Sequence, residues 1–242
     1  MSVCVFPRFP DARLSQLLEV LPEDYDLKGK SILDYGGNRG NLLEDAIPQK
    51  LIDPKDYTSM DVDSQGLVYL RNNFPTANII HYDRYNPAYR AHGQKMLPFP
   101  QDDDTYDIVY SYSVNTHSSW EDFVFDVKEL ARVCKPGGLI YTSSMDQDVM
   151  KTMHNKRLSD YGTAVDYDIF DDVTSGKLPG VYLVDNDLAL NIDEEIPLNV
   201  KFLLAYYNFD WLLKEFESMG FKATLFPHSH PDIMPLIRLE DN

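Results

Sequence analysis

Apolar and polar positions change rhythm repeatedly along this chain, and the changes mark its elements. Leu14, Leu17, Leu18 and Leu21 recur at helical spacing, with Asp11 as N-cap and Pro22 as stop, which predicts a short amphipathic helix over 11–21. The run from Ser31 to Asp34 predicts a strand that ends in glycines, followed by a helix over 40–47. Strands are predicted over 57–62 and 78–82, with a helix over 64–74 between them. Tyr106 to Tyr112 alternates and branches as a buried fourth strand. Residues 120–133 place Phe123, Val127, Leu130 and Ala131 on one helical face, Lys135-Pro-Gly-Gly138 reads as a helix stop and turn, and 139–143 as a fifth strand.

Strand and helix thus alternate five times between residues 31 and 143, which implies a parallel sheet with helices on both faces. Residues 84–105 are irregular and rich in Pro, Asp and Tyr. Residues 146–200 break the alternation and read as an acidic, weakly periodic insertion over the sheet edge. A helix over 208–219, ended by Gly220, and an antiparallel pair over 221–226 and 233–239 close the chain. The expected organisation is a core of residues 1–145 and 201–242 that carries an inserted lid over 146–200.

Composition narrows the function. A chain of 242 residues with 43% hydrophobic and 25% charged residues can build one large globular domain. Its formal charge of -17 repels phosphate backbones and anionic lipid, so neither nucleic acid nor a membrane surface is expected as a partner. The two cysteines, Cys4 and Cys134, suggest neither a disulfide framework nor a zinc site. The first residues lack a signal-peptide pattern and no stretch reaches the ~20 apolar residues of a membrane span, so a cytoplasmic location is expected.

The chemistry concentrates after the first strand. In Asp34-Tyr35-Gly36-Gly37-Asn38-Arg39-Gly40, glycines between a strand and a helix let the backbone approach a ligand, at the strand end where open parallel sheets bind theirs. The spacing is neither that of a dinucleotide-binding G-x-G-x-x-G nor of a P-loop, since no Lys follows the last glycine. Asp61, at the end of the second strand and 25 residues beyond Gly36, is placed to accept ribose hydroxyls, with Val62 beside it. Asp63 suits the N-cap of the following helix better.

Asp34, Gly36 and Gly40 stand in register with the Asp-x-Gly-x-Gly-x-Gly motif of class I S-adenosylmethionine-dependent methyltransferases, which this chain resembles over roughly 30–145 and 200–239. Asn38 replaces the middle glycine, and Asn is the other residue that readily visits the left-handed region. Leu97-Pro98-Phe99-Pro100 leading into Tyr106-Asp107 is similar to the family's Leu-Pro-Phe segment, and Arg132 to Leu139 to its Lys-Pro-Gly-Gly turn. Residues 84–96 are extra, and Tyr106 stands for the usual Phe. The resemblance implies a doubly wound, mostly parallel seven-stranded Rossmann-like sheet with a lid inserted before the C-terminal antiparallel strands. It implies S-adenosylmethionine as cofactor, held by Asp34, Gly36, Gly37, Asn38, Gly40, Asp61 and Val62, with Asp83 near the adenine unless it only caps its loop. Residues 111–117, with Ser111 and Tyr112 among the cofactor contacts, would run beside the methionine part and face the substrate.

Methyl transfer from a sulfonium is an in-line attack in which orientation does most of the work. A hydroxyl or ammonium acceptor also needs a base, and His117, just past the fourth strand, is the candidate; it could equally cap the helix at Trp120 or line the pocket. His154 and Tyr161 are weaker candidates, and His228 and His230 read as surface residues. Asp102-Asp103-Asp104 reads as a solvated turn, and no metal is expected. Met150, Met153, Tyr161, Tyr167, Phe170 and Tyr182 suit a lid over an apolar or aromatic small-molecule acceptor, or simply pack the insertion; Tyr206, Tyr207 and Trp211 pose the same choice. Competing readings are a protein methyltransferase, a methyltransferase-like partner subunit, and an NAD-dependent oxidoreductase, the last without its glycine spacing or a Tyr-x-x-x-Lys pair. A monomer or homodimer is expected.

Overall fold

The computed structural model describes residues 12–86, 89–145, 168–184, 189–192, 203–227 and 233–241. In chain order these form α1 (Ala12–Val20), β1 (Ile32–Tyr35), α2 (Asn41–Ala46), β2 (Tyr57–Asp61), α3 (Ser64–Asn73), β3 (Asn78–His81), β4 (Tyr106–Ser111), α4 (Trp120–Val133) and β5 (Cys134–Ser143). There follow α5 (Asp168–Thr174), β6 (Gly180–Val184), β7 (Ala189–Asn191), β8 (Leu203–Tyr207), α6 (Phe209–Ser218), β9 (Phe221–Phe226) and β10 (Leu236–Asp241).

Seven strands form one sheet in the order β3-β2-β1-β4-β5-β10-β9. The first five are parallel, and β10 pairs antiparallel with both β5 and β9. The doubly wound architecture is therefore the one expected. Because alternate side chains of each strand leave opposite faces, the sheet divides two cores. Leu33, Tyr35 and Val109 pack with Phe123, Val127 and Leu130 of α4 and with Leu212 and Phe216 of α6. Ile32, Tyr57, Ile108 and Tyr110 pack on the other face with Leu14 and Leu17 of α1 and with Leu42, Leu43 and Ala46 of α2.

Local chemistry sets the boundaries. Asp63 caps α3 by accepting from the Gln65 amide at 3.0 Å, Ser119 caps α4 through the Asp122 amide, and Asn208 caps α6 through the Trp211 amide. The expected Asp11 cap lies outside the described residues. The Lys135 to Gly138 segment is not a free turn before the fifth strand. It belongs to β5, where the register against β4 jumps between Tyr106 and Ile108 and Gly137 takes a φ of 75°. An irregularity of this kind re-aims a strand without ending it.

The described residues of the insertion form elements that its weak periodicity does not suggest. Strands β7, β6 and β8 form a second, antiparallel sheet in that order. Its β8, a strand that the sequence pattern did not predict, falls past residue 200 and pairs with β6 of the insertion. Met145 bridges to Tyr206, which seats this sheet beyond the C-terminal end of β5. Met145, Val173, Val181, Leu183, Leu204 and Tyr206 form its own small core.

Candidate active site

The order of the seven-stranded sheet reverses at β1, which pairs with β2 on one side and β4 on the other. Ligands of open α/β sheets bind outside the carboxyl ends of the strands at such a reversal. The expected site residues Gly36, Asp61 and Ser111 stand there, at the ends of β1, β2 and β4.

The loop after β1 is built from left-handed residues: Gly36 and Gly40 at φ 77° and Asn38 at φ 48°. Asn38 thus takes the conformation its replacement of a glycine requires. The glycines also admit neighbouring side chains. A Cβ on Gly36 would stand 2.1 Å from Val114 Cγ2, and one on Gly40 would stand 2.2 Å from Leu70 Cδ2. A Cβ on Gly37 would stand 2.5 Å from Ser59 Oγ and 2.9 Å from Asp34 Oδ2.

The two acids nearest this loop serve it from inside. Asp61 is buried, and its carboxylate accepts from the Asn38 amide at 2.8 Å and from the Asp63 amide at 2.7 Å. Burial pushes its carboxyl above the usual range, against the two amide bonds that lower it. Asp34 is fully buried and accepts from the Tyr57 hydroxyl. Burial pushes it up to about 6, with the nearby Arg13 charge the largest opposing influence. Asp34 therefore backs the loop behind Gly37 rather than lining its outer surface.

Asp83, expected near the adenine or as a cap of its loop, follows β3 at the surface. Its side chain is 60% exposed and accepts from Arg90 Nε at 2.6 Å. The neighbours on either side turn inward instead. Tyr82 is buried, its hydroxyl donating to the Leu97 carbonyl. Arg84, 3% exposed, pairs with Asp126 and with Asp122 at 2.9 Å, and donates to the Tyr35 hydroxyl at 3.4 Å. Val62 is half-buried, and its carbonyl meets His81 Nε2 at 3.3 Å.

Ser111 is buried at the end of β4. Tyr112 turns to the α1 side, where its ring stacks with Tyr110 and its hydroxyl accepts from the Met234 amide at 3.2 Å. Among the described residues, five buried polar atoms around these strands find no hydrogen-bond partner: Asp34 Oδ1, Ser59 Oγ, Ser111 Oγ, Asn115 Oδ1 and Thr116 Oγ1. Asn115 and Thr116 fall in the 111–117 segment that the resemblance places beside the methionine part, whereas Ser59, inside the second strand, was not foreseen.

His117 ends a short 3₁₀ turn over Asn115–His117. It does not cap α4, since Ser119 does. Its Nδ1 lies 2.9 Å from the Leu203 carbonyl of β8. A carbonyl can only accept, so Nδ1 carries the proton and Nε2 the lone pair in the neutral ring. Burial holds the imidazole below its ordinary value of 6.5, against the Leu203 bond. The Tyr89 ring stands edge-on, 6.5 Å between centroids.

The aromatic residues that could have lined a lid divide. Tyr182 and Tyr207 are core residues that pack with Phe123, and Tyr182 Oη accepts from the Trp120 amide at 2.6 Å. Tyr206 is buried in the small core, and Trp211 stacks with Tyr207. Met150, Met153, His154, Tyr161, Tyr167, His228 and His230 lie outside the described residues, as does the Phe170 side chain. Asp103 pairs with Arg132 at 2.7 Å, and among the described residues no group of three or more His, Cys, Asp or Glu is placed to hold a metal ion.

Residues 33–142 match the family model described as a methyltransferase domain. No curated protein sequence matches the chain. Among solved structures, the glycopeptide N-methyltransferase MtfA complexed with S-adenosylmethionine is similar at a TM-score of 0.57 and 11% identity, over 98% of this chain and 96% of that one. DesVI of Streptomyces venezuelae is similar at 0.54 and 13% identity, over 97% and 93%. The magnesium protoporphyrin IX methyltransferase of Synechocystis PCC 6803, with S-adenosylhomocysteine bound, is similar at 0.52 and 14% identity, over 96% and 81%.

Proposed function

The chain carries a class I S-adenosylmethionine-dependent methyltransferase domain, and from that premise we propose that it methylates an oxygen or nitrogen of a small-molecule acceptor. When bound, S-adenosylmethionine supplies a methyl group on a sulfonium to a nucleophile in line with it. The residues at the strand ends fit that cofactor. The left-handed turn at 36–40 allows backbone to come close to a ligand, and Asp61 ends the second strand, where an acid that accepts ribose hydroxyls is expected. The unpartnered polar atoms of Ser59, Ser111, Asn115 and Thr116 answer a ligand rich in hydroxyl and amino groups. Asp83, held by Arg90, is left out of this set.

The observation that carries the acceptor reading is the bond between His117 and Leu203. It fixes the ring so that Nε2 is basic, and burial keeps the ring neutral near physiological pH. In that state His117 takes the proton of a hydroxyl as its oxygen attacks, or that of an ammonium before the freed amine nitrogen attacks. Tyr89, 53% exposed and edge-on to His117, offers an aromatic wall to the same acceptor. The net charge of -17 favours neutral or cationic acceptors over nucleic acid or anionic lipid. One of the similar structures is named an N-methyltransferase, which accords with a nitrogen acceptor. Among the described residues no helix is long and apolar enough to cross a membrane.

The test uses S-adenosylmethionine labelled in its methyl group, with a cell extract separated into small molecules and protein. Label entering the small-molecule fraction is expected. Label confined to precipitable protein overturns the acceptor class and favours the protein methyltransferase reading.

A further inference from the structure

Arg13 lies in the first turn of α1, outside every motif of the methyltransferase domain. Helix α1 packs on the sheet face that carries Tyr57, Tyr110 and Tyr112. Gln16, one turn on, donates to the Met234 carbonyl, and Met234 donates to the Tyr112 hydroxyl. This anchors the helix over the end of β4. The Arg13 guanidinium stands over the Tyr112 ring, 5.2 Å from its centroid. Its Nη1 is buried and has no hydrogen-bond partner among the described residues.

A guanidinium N–H removed from water and left without an acceptor is costly, more so than a neutral donor. Two carboxylates lie close enough to feel its charge, since Arg13 lowers both Asp34 and Asp61. Neither bonds it. Asp34 Oδ2 takes the Tyr57 hydroxyl, and Asp61 takes the amides of Asn38 and Asp63. Those acids border the 36–40 turn, and alone they would repel an anion there. Arg13 supplies the opposite charge at that place. Its planar fork matches a carboxylate in two parallel bonds.

We propose that Arg13 binds the carboxylate of the cofactor's methionine part, a contact made from the N-terminal helix rather than from the glycine turn. The inference rests on the cofactor reading above. It makes affinity depend on a group that the adenosyl half of the ligand does not contain.

Calorimetric titration of the whole protein with S-adenosylhomocysteine, and with its decarboxylated analogue that keeps the amine, tests this. The wild type is expected to prefer S-adenosylhomocysteine. Arg13→Met should weaken that ligand by about ten- to a hundredfold, the range for one lost charge-assisted bond, and leave the analogue unchanged. Arg13→Lys, which keeps the charge and loses the fork, should recover part of the preference. Unchanged affinity for S-adenosylhomocysteine in Arg13→Met overturns the assignment, as does an equal loss on both ligands, which would mark a packing role. A wild type that binds neither ligand overturns the cofactor reading and this inference with it.

Discussion

The Asn38 amide donates to Asp61 at 2.8 Å, so the turn after the first strand is fastened to the end of the second. The other oxygen of that carboxylate holds the Asp63 amide at 2.7 Å. Asp61→Asn leaves one of these donors facing an amide NH₂ group. We expect a loss of about 1–3 kcal/mol in stability, read by urea denaturation, and weaker binding of S-adenosylhomocysteine. Asp63→Asn is the control, because Asn caps a helix as well as Asp and its stability should stay near wild type.

Asp34 gives stability a pH dependence of definite sign. Its carboxyl is pushed from an ordinary 3.8 up to about 6 by burial, so the folded protein holds the proton after the unfolded chain has released it. Its contribution is fully present below pH ~4 and falls as pH rises toward 6. Asp34→Asn keeps an acceptor for the Tyr57 hydroxyl and removes the titration. Denaturation curves at pH 4.5 and 7 should show this fall in the wild type and lose it in the variant. An identical slope in both proteins would assign the effect to other groups.

His117→Asn separates the two duties of that side chain. The Asn amide can still donate to the Leu203 carbonyl, but nothing replaces the basic Nε2. We expect the transfer rate to fall roughly 100- to 10,000-fold with S-adenosylhomocysteine affinity unchanged. Because burial lowers the imidazole from 6.5, the acid limb of the wild-type rate profile should lie below that pH. A rate that survives the substitution at every pH would leave His117 a packing residue.

Arg84 neutralises the buried carboxylate of Asp126, which also accepts from the Tyr35 hydroxyl at 3.2 Å. It pairs with Asp126, which is fully buried, and with Asp122. Arg84→Met should destabilise the protein by about 3–5 kcal/mol, since it strands the Asp126 carboxylate. Adding Asp126→Asn to Arg84→Met should restore part of the loss, and thermal melts of the single and double variants give the comparison.

The alternation of strand and helix between residues 31 and 143 was legible because period-2 and period-3.6 patterns are local. The glycine turn was legible for the same reason, down to the left-handed Asn38. Other features depend on partners distant in sequence. Strands β6 and β8 are short apolar runs that read as nothing particular until they pair with each other. Arg84 and Asp83 are adjacent, and only the position of α4 decides that the cation turns inward and the acid outward. Arg13 sits in an ordinary amphipathic helix, and its unpartnered nitrogen exists only once α1 lies against Tyr112.

The contact between His117 and β8 ties the surroundings of the ring to strand alignment. A one-residue slip of β8 keeps a backbone carbonyl in front of the imidazole and exchanges the side chains of the strand between its two faces. The Nδ1 proton would therefore stay where it is, while the side chains beside the ring would change. Small insertions and deletions in a segment remote from His117 in sequence would thus change what surrounds the ring while its Nδ1 bond and the residues matched by the methyltransferase model stay in place.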